Sequence, residues 1–312
     1  MNYKDFGLVN TKKMFINAMK HGYAVPAFNF YNLETLKSIL VAAKNTKSPV
    51  ILAVSESALK YMGDDFLIGM IIGAKIKSKN IALHLDHGHS FESCKHAIDL
   101  GFSSVMFDGS ELPFTENVKQ TKRVVAYAKK FNVSVEAELG TLSGIEDENT
   151  KSEKHIYTDP RDVIEFVSKT SCDSLAIAIG TSHGAYKRKN ENEKLRFDIL
   201  KKIADKLPNF PLVLHGASEI PQNLLKTINK NGGKIVGALG IPASQIKKAV
   251  SMNICKVNVD SDARLAFTSA VRENLNKNPE NFDPRKFLTA AMNEITKTYI
   301  YEITKVMNSA HK

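Results

Sequence analysis

Short apolar runs recur along the chain and alternate with longer segments of mixed character. Eight runs rich in Val, Ile and Leu are each the length of a strand and too short for a typical helix. Most of the segments between them, such as "NLETLKSILVAAKNTK", carry apolar residues at helical spacing. The pattern predicts alternating strands and helices, with strands at residues 23–30, 49–55, 81–87, 104–109, 133–140, 174–184, 211–216 and 255–262.

This alternation predicts an α/β fold, specifically a closed (β/α)₈ TIM barrel. Strands that are apolar along their whole length suit a parallel sheet covered by helices, and a count of eight favours the barrel over an open doubly wound sheet. The nucleotide fingerprints of open sheets, GxGxxG after the first strand and GxxxxGK[ST], do not occur. The tail from residue 283 predicts an additional C-terminal helix, with Pro284 near its start. We predict a single domain over residues 1–312.

Composition narrows the class of protein without identifying it. A hydrophobic content of 43% and a charged content of 24% are typical of globular proteins. Since the longest apolar runs are too short to span a bilayer and the N-terminus lacks a signal peptide's apolar stretch, we expect a cytoplasmic protein without a membrane partner. The cysteines Cys94, Cys172 and Cys255 form no CxxC spacing, which argues against disulfides and against a cysteine zinc site.

The formal net charge of +10 is compatible with two kinds of partner. A nucleic acid is one, although the lysines are scattered rather than gathered into a run with interleaved aromatic residues. A small anionic substrate, attracted by the positive field, is the other. The charge alone leaves both hypotheses open.

Polar residues collect at the predicted C-terminal strand ends, where a barrel of this kind places its catalytic groups. His87, His183 and His215 end three different strands, and three neutral imidazoles that leave a coordination position open are typical of catalytic zinc. An isolated histidine is more often a structural hydrogen-bonding residue, but three at corresponding positions favour a metal site. The other polar strand ends are Asn29, Ser55, Asp86, Asp108, Glu138, Asn258, Asp260 and Ser261.

The segment "HLDHGHS", which begins at His84, holds three histidines and an aspartate. Asp86 and His87 lie at the rim, which makes them the candidate acid or base and the candidate metal ligand. His84 shares a strand face with Asp86 but lies one step deeper, so we predict a packing residue. His89 falls in the turn before a helix that Ser90 can cap, and we predict a structural role for it.

Glycine and hydroxyl residues cluster in "GTSHGAYK", "HGAS" and "NVDS", at the ends of the last three predicted strands. Backbone N–H groups in glycine turns bind anions, and the loops after strands seven and eight are a frequent phosphate site in this fold. Lys187 adds a positive charge nearby. Tight turns alone explain any one of these segments, but the three together favour a phosphate site.

The motifs "AFNFYN", "HLDHGHSFESC", "SVMFDGS", "SVEAELGTLSGIED", "AIGTSHGAYK", "PLVLHGAS" and "KVNVDSDARLAF" resemble those of class II, metal-dependent fructose-1,6-bisphosphate aldolases. The resemblance runs from about residue 12 to the C-terminal helix. It implies a Zn²⁺-dependent barrel enzyme that reversibly splits fructose 1,6-bisphosphate into dihydroxyacetone phosphate and glyceraldehyde 3-phosphate, a step of glycolysis and gluconeogenesis. It also implies a homodimer or homotetramer.

The resemblance further implies roles for single residues. His87, His183 and His215 match the zinc ligands. Asp86 resembles the residue that exchanges a proton with the C4 hydroxyl of the substrate, and Glu146 the group that moves the proton at C1 of dihydroxyacetone phosphate. Two further acidic residues match positions beside the metal: Asp108 and Glu138.

The substrate contacts implied by the resemblance lie on the glycine-bearing loops and at the neighbouring strand ends. Those loops bind a monovalent cation, Na⁺ or K⁺, in relatives. Asn258 matches the residue that contacts the enediolate, and Asn29 joins the substrate-binding set. Ser55 and Arg264 fall where the second phosphate is held. The residues that resemble the ketose-phosphate cradle are Gly184, Lys187, Gly216, Ser218, Asp260 and Ser261.

Two alternatives compete with this interpretation. The nearest is a tagatose-1,6-bisphosphate aldolase, which shares fold and metal; the pair Asp260 and Arg264 argues against it, because tagatose enzymes tend to lack both. The other is a non-catalytic protein that binds RNA or a surface through its positive charge. That hypothesis gives no reason for three histidines, two carboxylates and phosphate loops in one chain.

Overall fold

Eight parallel strands close into a barrel in this computed structural model, which describes residues 1–77, 80–145, 151–152, 155–186 and 192–312. The barrel strands are β1 (Val25–Asn29), β2 (Val50–Ser55), β3 (Ile81–Gly88), β4 (Ser104–Phe107), β5 (Ser134–Leu139), β8 (Ser174–Ile177), β9 (Leu212–Leu214) and β10 (Ile254–Val259). A separate antiparallel pair is formed by β6 (Gly144–Ile145) and β7 (Lys151–Ser152). Around the barrel the order is β1, β10, β9, β8, β5, β4, β3, β2, which confirms the predicted closed (β/α)₈ architecture.

Helices connect the barrel strands and cover them. Several begin at caps that can be read in the sequence: Asn32 and Thr35 form a capping box, as do Ser90 and Ser93, so the predicted cap at Ser90 is confirmed. A 3₁₀ helix spans Tyr3–Phe6 and a π-helix spans Glu302–Val306. The α-helices are α1 (Thr11–His21), α2 (Leu33–Thr46), α3 (Glu56–Met62), α4 (Asp64–Gly73), α5 (Phe91–Leu100), α6 (Phe114–Lys129), α7 (Val163–Thr170), α8 (Phe197–Lys206), α9 (Gln222–Lys230), α10 (Ala243–Val250), α11 (Ser261–Lys277) and α12 (Pro284–Tyr301).

The predicted C-terminal helix is α12, and it packs on the barrel's own helices. Pro284 occupies its first turn, where a missing backbone N–H costs nothing, and Asp283 caps it by accepting the N–H of Arg285. The helix lies against α2 and α11, and the Tyr299 ring lies 4.1 Å from that of Phe28 in β1. Among the described residues, no helix has the length and apolar character needed to cross a membrane.

The strand ends differ from the predicted ones at one functional position. The apolar run at 174–184 predicts a long strand, but β8 ends at Ile177, so His183 lies in the following loop. His215 directly follows β9, and His87 lies within β3. The three predicted zinc ligands therefore have different backbone support: His87 lies on a strand, His215 directly after one, and His183 in a loop.

Candidate active site

A backbone irregularity in β3 brings two consecutive residues to the same site. Strict strand alternation would send Asp86 and His87 to opposite faces of the sheet. His87 instead adopts φ +49°, and the pairing of β3 with β4 shifts register between Leu85 and Gly88. Left-handed backbone is uncommon for a residue with a side chain and is often found at functional positions. The irregularity lets the Asp86 carboxylate and the His87 ring both reach the barrel mouth.

The Asp86 carboxylate is held by two amide side chains from neighbouring strands. Asn29 Nδ2 donates to Asp86 Oδ2 at 2.7 Å, and Asn258 Nδ2 donates to Asp86 Oδ1 at 2.8 Å. Burial acts to raise the pKa of Asp86, but its interactions with His87 and Lys256 and the Asn29 hydrogen bond lower it. The group is therefore an oriented, ionised carboxylate, which is suited to accept a proton.

His87 is oriented by the acidic residues that were predicted to stand beside a metal. Its Nδ1 lies 2.8 Å from Asp108 Oδ2 and 3.8 Å from Glu138 Oε2. Its Nε2 faces His215 Nδ1 at 2.9 Å. Burial favours the neutral form of Asp108, but hydrogen bonds from His87 and Ser110 and the charge of His87 hold its pKa well below the usual range.

His215 rests on a buried ion pair that the sequence patterns did not indicate. Its Nε2 lies 2.7 Å from Glu136 Oε1, and Lys256 Nζ donates to both oxygens of Glu136 at 2.9 Å. Lys256 Nζ also lies 3.3 Å from His84 Nε2, and His84 Nδ1 lies 2.8 Å from Ser104 Oγ. His84 is thus buried as predicted, but within a polar network rather than among apolar side chains.

The donor set at this point of the barrel fits a metal such as zinc. Within the described ranges, ligand atoms lie within 4.8 Å of one another in two groups: Asp86, His87 and His215, and His87, Asp108 and Glu138. Burial and the charge of Lys256 lower the pKa of His215 well below its usual value, so the ring is neutral, as metal binding requires. Buried imidazoles and carboxylates together are the ligands that zinc takes in catalytic sites.

His183 is near this cluster but belongs to neither of the two groups found among the described residues. Its ring centre lies 5.1 Å from that of His87, edge to face. Its backbone N–H donates to the carbonyl of Ser143 at 2.9 Å, which ties the loop after β8 to the loop after β5. His183 lines both a cleft that contains Asp108 and Glu138 and a cavity that contains Asp86 and His215.

The candidate substrate cavity lies at the carboxyl ends of the strands and, with the solvent space at its mouth, has a volume of about 460 Å³. The predicted substrate residues that the structure describes all line it, together with Asp86 and two of the histidines. Glu146 and Lys187, which were predicted from sequence, lie outside the described residues. The lining consists of Asn29, Ser55, Asp86, His183, Gly184, His215, Gly216, Ser218, Asn258, Asp260, Ser261 and Arg264.

Two loops of this cavity pack backbone against backbone. Gly216 has φ +62°, and a side chain there would place its first carbon 2.5 Å from the carbonyl oxygen of Ser182. Only glycine tolerates both the left-handed backbone and the close contact at this position. Further along the same loop, the Asp262 carboxylate accepts the N–H groups of Glu219 and Ile220 at 2.8 and 2.7 Å, which joins this loop to the start of α11.

Arg264 stands at the outer rim of the cavity. Its Nε pairs with Asp260 Oδ2 at 2.7 Å, and its side chain is 51% exposed. The guanidinium lies 5.4 Å from the centre of the Tyr31 ring, a neighbour that the sequence patterns did not single out. A partly exposed guanidinium with an aromatic support can reach an incoming anion.

His89, for which a structural role was predicted, belongs to neither ligand group found among the described residues. Its backbone N–H donates to Glu56 Oε1 at 2.9 Å, which fastens the turn after β3 to the start of α3. His89 also borders the cleft that contains Asp108 and Glu138.

Comparisons with known proteins agree with the geometry. The sequence model of the family "Fructose-bisphosphate aldolase class-II" matches residues 9–312. The chain is 46% identical to a fructose-bisphosphate aldolase of Treponema pallidum, over 99% of this chain and 98% of that protein. It is 47% identical to one of Thermus caldophilus, over 93% of this chain and 96% of that protein.

A solved structure shares the architecture over nearly the whole length. The YdjI aldolase of Escherichia coli K12 superposes with a TM-score of 0.77 at 28% identity, covering 97% of this chain and 98% of that one. Class II aldolases are metal-dependent lyases, and the buried imidazole and carboxylate donors described above suit such an enzyme. The chain belongs to the class-II fructose-bisphosphate aldolase family.

Proposed function

We propose that the protein reversibly cleaves fructose 1,6-bisphosphate into dihydroxyacetone phosphate and glyceraldehyde 3-phosphate. The observation that carries this proposal is the position of Asp86. Its carboxylate is fixed by two amides beside the His87 and His215 pair and faces a cavity with hydroxyl and glycine residues on its wall and Arg264 at its rim. A fixed carboxylate, metal ligands and anion-binding groups are the parts that aldol cleavage of a sugar bisphosphate needs.

The metal proposed for this site is Zn²⁺, held by His87, His183 and His215. Asp108 and Glu138 would stand beside it, where Asp108 orients His87 through Nδ1. When bound, Zn²⁺ supplies a Lewis acid that draws electron density from the substrate carbonyl. Since His183 lies on a loop close to both His87 and the cavity, it can complete the ligand set with a small change of its side chain.

Asp86 is proposed to exchange a proton with the C4 hydroxyl. Both of its oxygens already accept hydrogen bonds from amides, so the carboxylate cannot rotate away, and a syn or anti lone pair remains for the substrate hydroxyl. Asn29 and Asn258 would in turn contact the reacting ketose. Glu146 remains the predicted group for the proton at C1.

Phosphate binding is proposed at two positions of the cavity. Gly184, Gly216, Ser218 and Ser261, with Lys187 and Asp260, would hold the phosphate next to the metal, with a Na⁺ or K⁺ ion on the same loops. Ser55 and Arg264 would hold the second phosphate, for which an exposed guanidinium is suited. The pair Asp260 and Arg264 is proposed to favour fructose over tagatose bisphosphate. Assembly as a homodimer or homotetramer and a cytoplasmic location remain predictions.

A cleavage assay with metal analysis tests the proposed function. The enzyme is assayed on fructose and tagatose 1,6-bisphosphate before and after chelation, and metal content is measured in parallel. We expect cleavage of the fructose substrate, loss of turnover on chelation, and recovery with Zn²⁺ or Co²⁺. Undiminished activity of the metal-free enzyme, or trapping of the substrate on a lysine by borohydride, would refute the metal mechanism. Absence of cleavage by the zinc-loaded enzyme would favour a binding protein.

A further inference from the structure

His215 and four other side chains form a hydrogen-bonded network in the interior of the barrel. Four of its contacts are described above; they link Ser104, His84, Lys256, Glu136 and His215 in that order. Lys256 is fully buried and Glu136 is 1% exposed. We call these five residues the core network.

The order of donors and acceptors in the core network follows from its two charged members. An ionised carboxylate only accepts hydrogen bonds and an ammonium only donates them. The contact of 2.7 Å with Glu136 therefore requires the proton of His215 on Nε2. By the same rule His84 accepts from Lys256 through Nε2, so its own proton lies on Nδ1 and is donated to Ser104.

We propose that Glu136 and Lys256 are positioning residues for the metal site, which fix His215 in the tautomer that presents an unprotonated Nδ1. Nδ1 is the nitrogen that faces His87 Nε2 at 2.9 Å, so it points into the candidate metal cluster. Lys256 Nζ donates to both oxygens of Glu136 and so holds the carboxylate in place against His215. This inference rests on the proposed metal-dependent function.

The position of His215 explains why such support is needed. It directly follows β9, a strand of three residues, and within the described residues its ring nitrogens form hydrogen-bond contacts with Glu136 and His87 alone. The opposite tautomer would place a proton on the nitrogen that faces the cluster, and a protonated nitrogen cannot bind a metal. Partners that fix the ring of a ligating histidine in this way commonly change metal affinity by about 10- to 100-fold.

A purely structural role is the alternative for this ion pair. It is weakened by a general observation: a buried ion pair is often no more stabilising than apolar residues of similar volume. The two roles make different predictions, because a structural pair can be replaced as a unit, whereas a positioning pair cannot be replaced without losing the acceptor that His215 requires.

Two double variants separate these roles. Glu136→Met with Lys256→Met removes the charges and the acceptor, whereas Glu136→Gln with Lys256→Met removes the charges but keeps an amide oxygen for His215. The matched control is Glu302→Gln, which replaces another buried carboxyl by an amide outside the metal cluster. Thermal melting of each metal-free protein identifies variants that do not fold.

The first measurement is the Zn²⁺ affinity, by competition with a chromophoric chelator. We expect the Met/Met variant to bind Zn²⁺ about 10- to 100-fold more weakly than the wild type, the Gln/Met variant to lose clearly less, and the control to lose nothing. The second is the tautomer of His215 in metal-free, ¹⁵N-histidine-labelled protein, assigned with a His215→Asn variant. We expect the Nε2–H form in the wild type and its loss in the Met/Met variant.

Equal Zn²⁺ affinity in the wild type and both double variants would overturn the inference, as would an Nδ1–H tautomer in the wild type. Failure of the proposed function gives a different result. In that case the wild type itself would bind no Zn²⁺ in the competition experiment, whereas the tautomer of His215 could still be measured in the metal-free protein.

Discussion

On the histidine side of the site, which comprises Asp86, His87 and His215, each polar group is held by a side chain that lies on another strand or directly after one. On the glycine side, which comprises Gly184, Gly216, Ser218 and Ser261, the wall is built from loop backbone and hydroxyl groups. The histidine side is thus fixed by hydrogen bonds among buried side chains. The glycine side is fixed by close backbone contacts, such as that of Gly216 with Ser182.

This difference between side-chain and backbone support matches the chemical role proposed for each side. Proton transfer and metal binding demand defined positions of single atoms, which a network of buried side chains on strands provides before substrate arrives. A phosphate presents several equivalent oxygens, so a concave surface of N–H and hydroxyl donors suffices to hold it. Changes on the histidine side should therefore reduce the rate of the chemical step, and changes on the glycine side should reduce substrate binding.

The largest expected effect is that of removing a metal ligand. His215→Ala deletes an imidazole from the cluster and leaves the buried Glu136 and Lys256 pair without its third partner. We expect cleavage to fall below detection and bound Zn²⁺ to fall well below one per chain. Metal analysis after gel filtration measures this directly. A His215→Ala protein that retains stoichiometric zinc would contradict the assignment of this histidine.

The next effect in size is expected for Asp86→Ala, which removes the proposed acid/base. A positioned acid/base contributes about 10²–10⁴ in rate, so kcat should fall by that factor while Zn²⁺ stays bound. Steady-state kinetics with metal analysis separate the two roles open to this residue. If zinc is lost together with activity, Asp86 is a metal ligand, as its place in the cluster with His87 and His215 would allow.

Arg264→Ala tests the rim of the cavity. A hydrogen bond to a charged group contributes about 1.5–3 kcal/mol and each 1.4 kcal/mol is about tenfold, so kcat/KM should fall roughly 10- to 200-fold. The zinc content should not change, because Arg264 is not one of the proposed zinc ligands and pairs with Asp260 at the cavity rim. Lys277→Ala is the control, since it removes an exposed cation that pairs with Glu273 on the same helix. An equal loss in both variants would indicate a general charge effect.

The smallest effect on catalysis is expected for Glu302→Gln, because Glu302 belongs to neither the histidine side nor the glycine side. Burial first, and then the charges of Asp262 and Glu219, raise the pKa of Glu302 well above its usual value. Burial and Asp262 also raise the pKa of Glu219 to about 7. An acid whose pKa is higher in the folded than in the unfolded protein lowers the stability of the fold. The loss grows as the pH rises from the pKa of the unfolded state toward that of the folded state.

Glu302→Gln removes that cost and should therefore raise the Tm by a few degrees at pH 8, with a smaller gain at pH 5. For domains of roughly 150–250 residues, 1 kcal/mol corresponds to about 2–4 °C. Scanning calorimetry at the two pH values measures the difference, and the cleavage rate should be unchanged. A gain that is the same at both values would show that ionisation of this carboxyl does not limit stability.

The sequence predicted the barrel because near-continuous apolar strands and amphipathic helices leave a clear periodicity. It did not predict where each strand ends: the apolar run at 174–184 continues past Ile177, although β8 stops there and His183 lies in the loop. Apolar composition reports burial, and a buried loop has the same composition as a buried strand. Hydrogen-bond geometry decides between them, and it depends on the neighbouring strands.

The core network was also missed, although its sequence signal exists. Glu136 lies two residues before Glu138 and Lys256 two residues before Asn258, so each shares a strand face with a predicted site residue. A charged residue inside an otherwise apolar strand requires a buried partner. Which partner it finds depends on the register between strands that are far apart in sequence. For the same reason the left-handed backbone of His87 could not be read from a sequence.

The contact between Gly216 and Ser182 constrains how the cavity can move. With its first side-chain carbon position 2.5 Å from a carbonyl oxygen, Gly216 leaves no free space between the loop after β9 and the loop after β8. His183 directly follows Ser182, so a displacement of either loop is transmitted through this contact to the other. A shift of the proposed phosphate loop toward the loop after β8 would therefore be blocked at this contact, one residue from the proposed metal ligand His183.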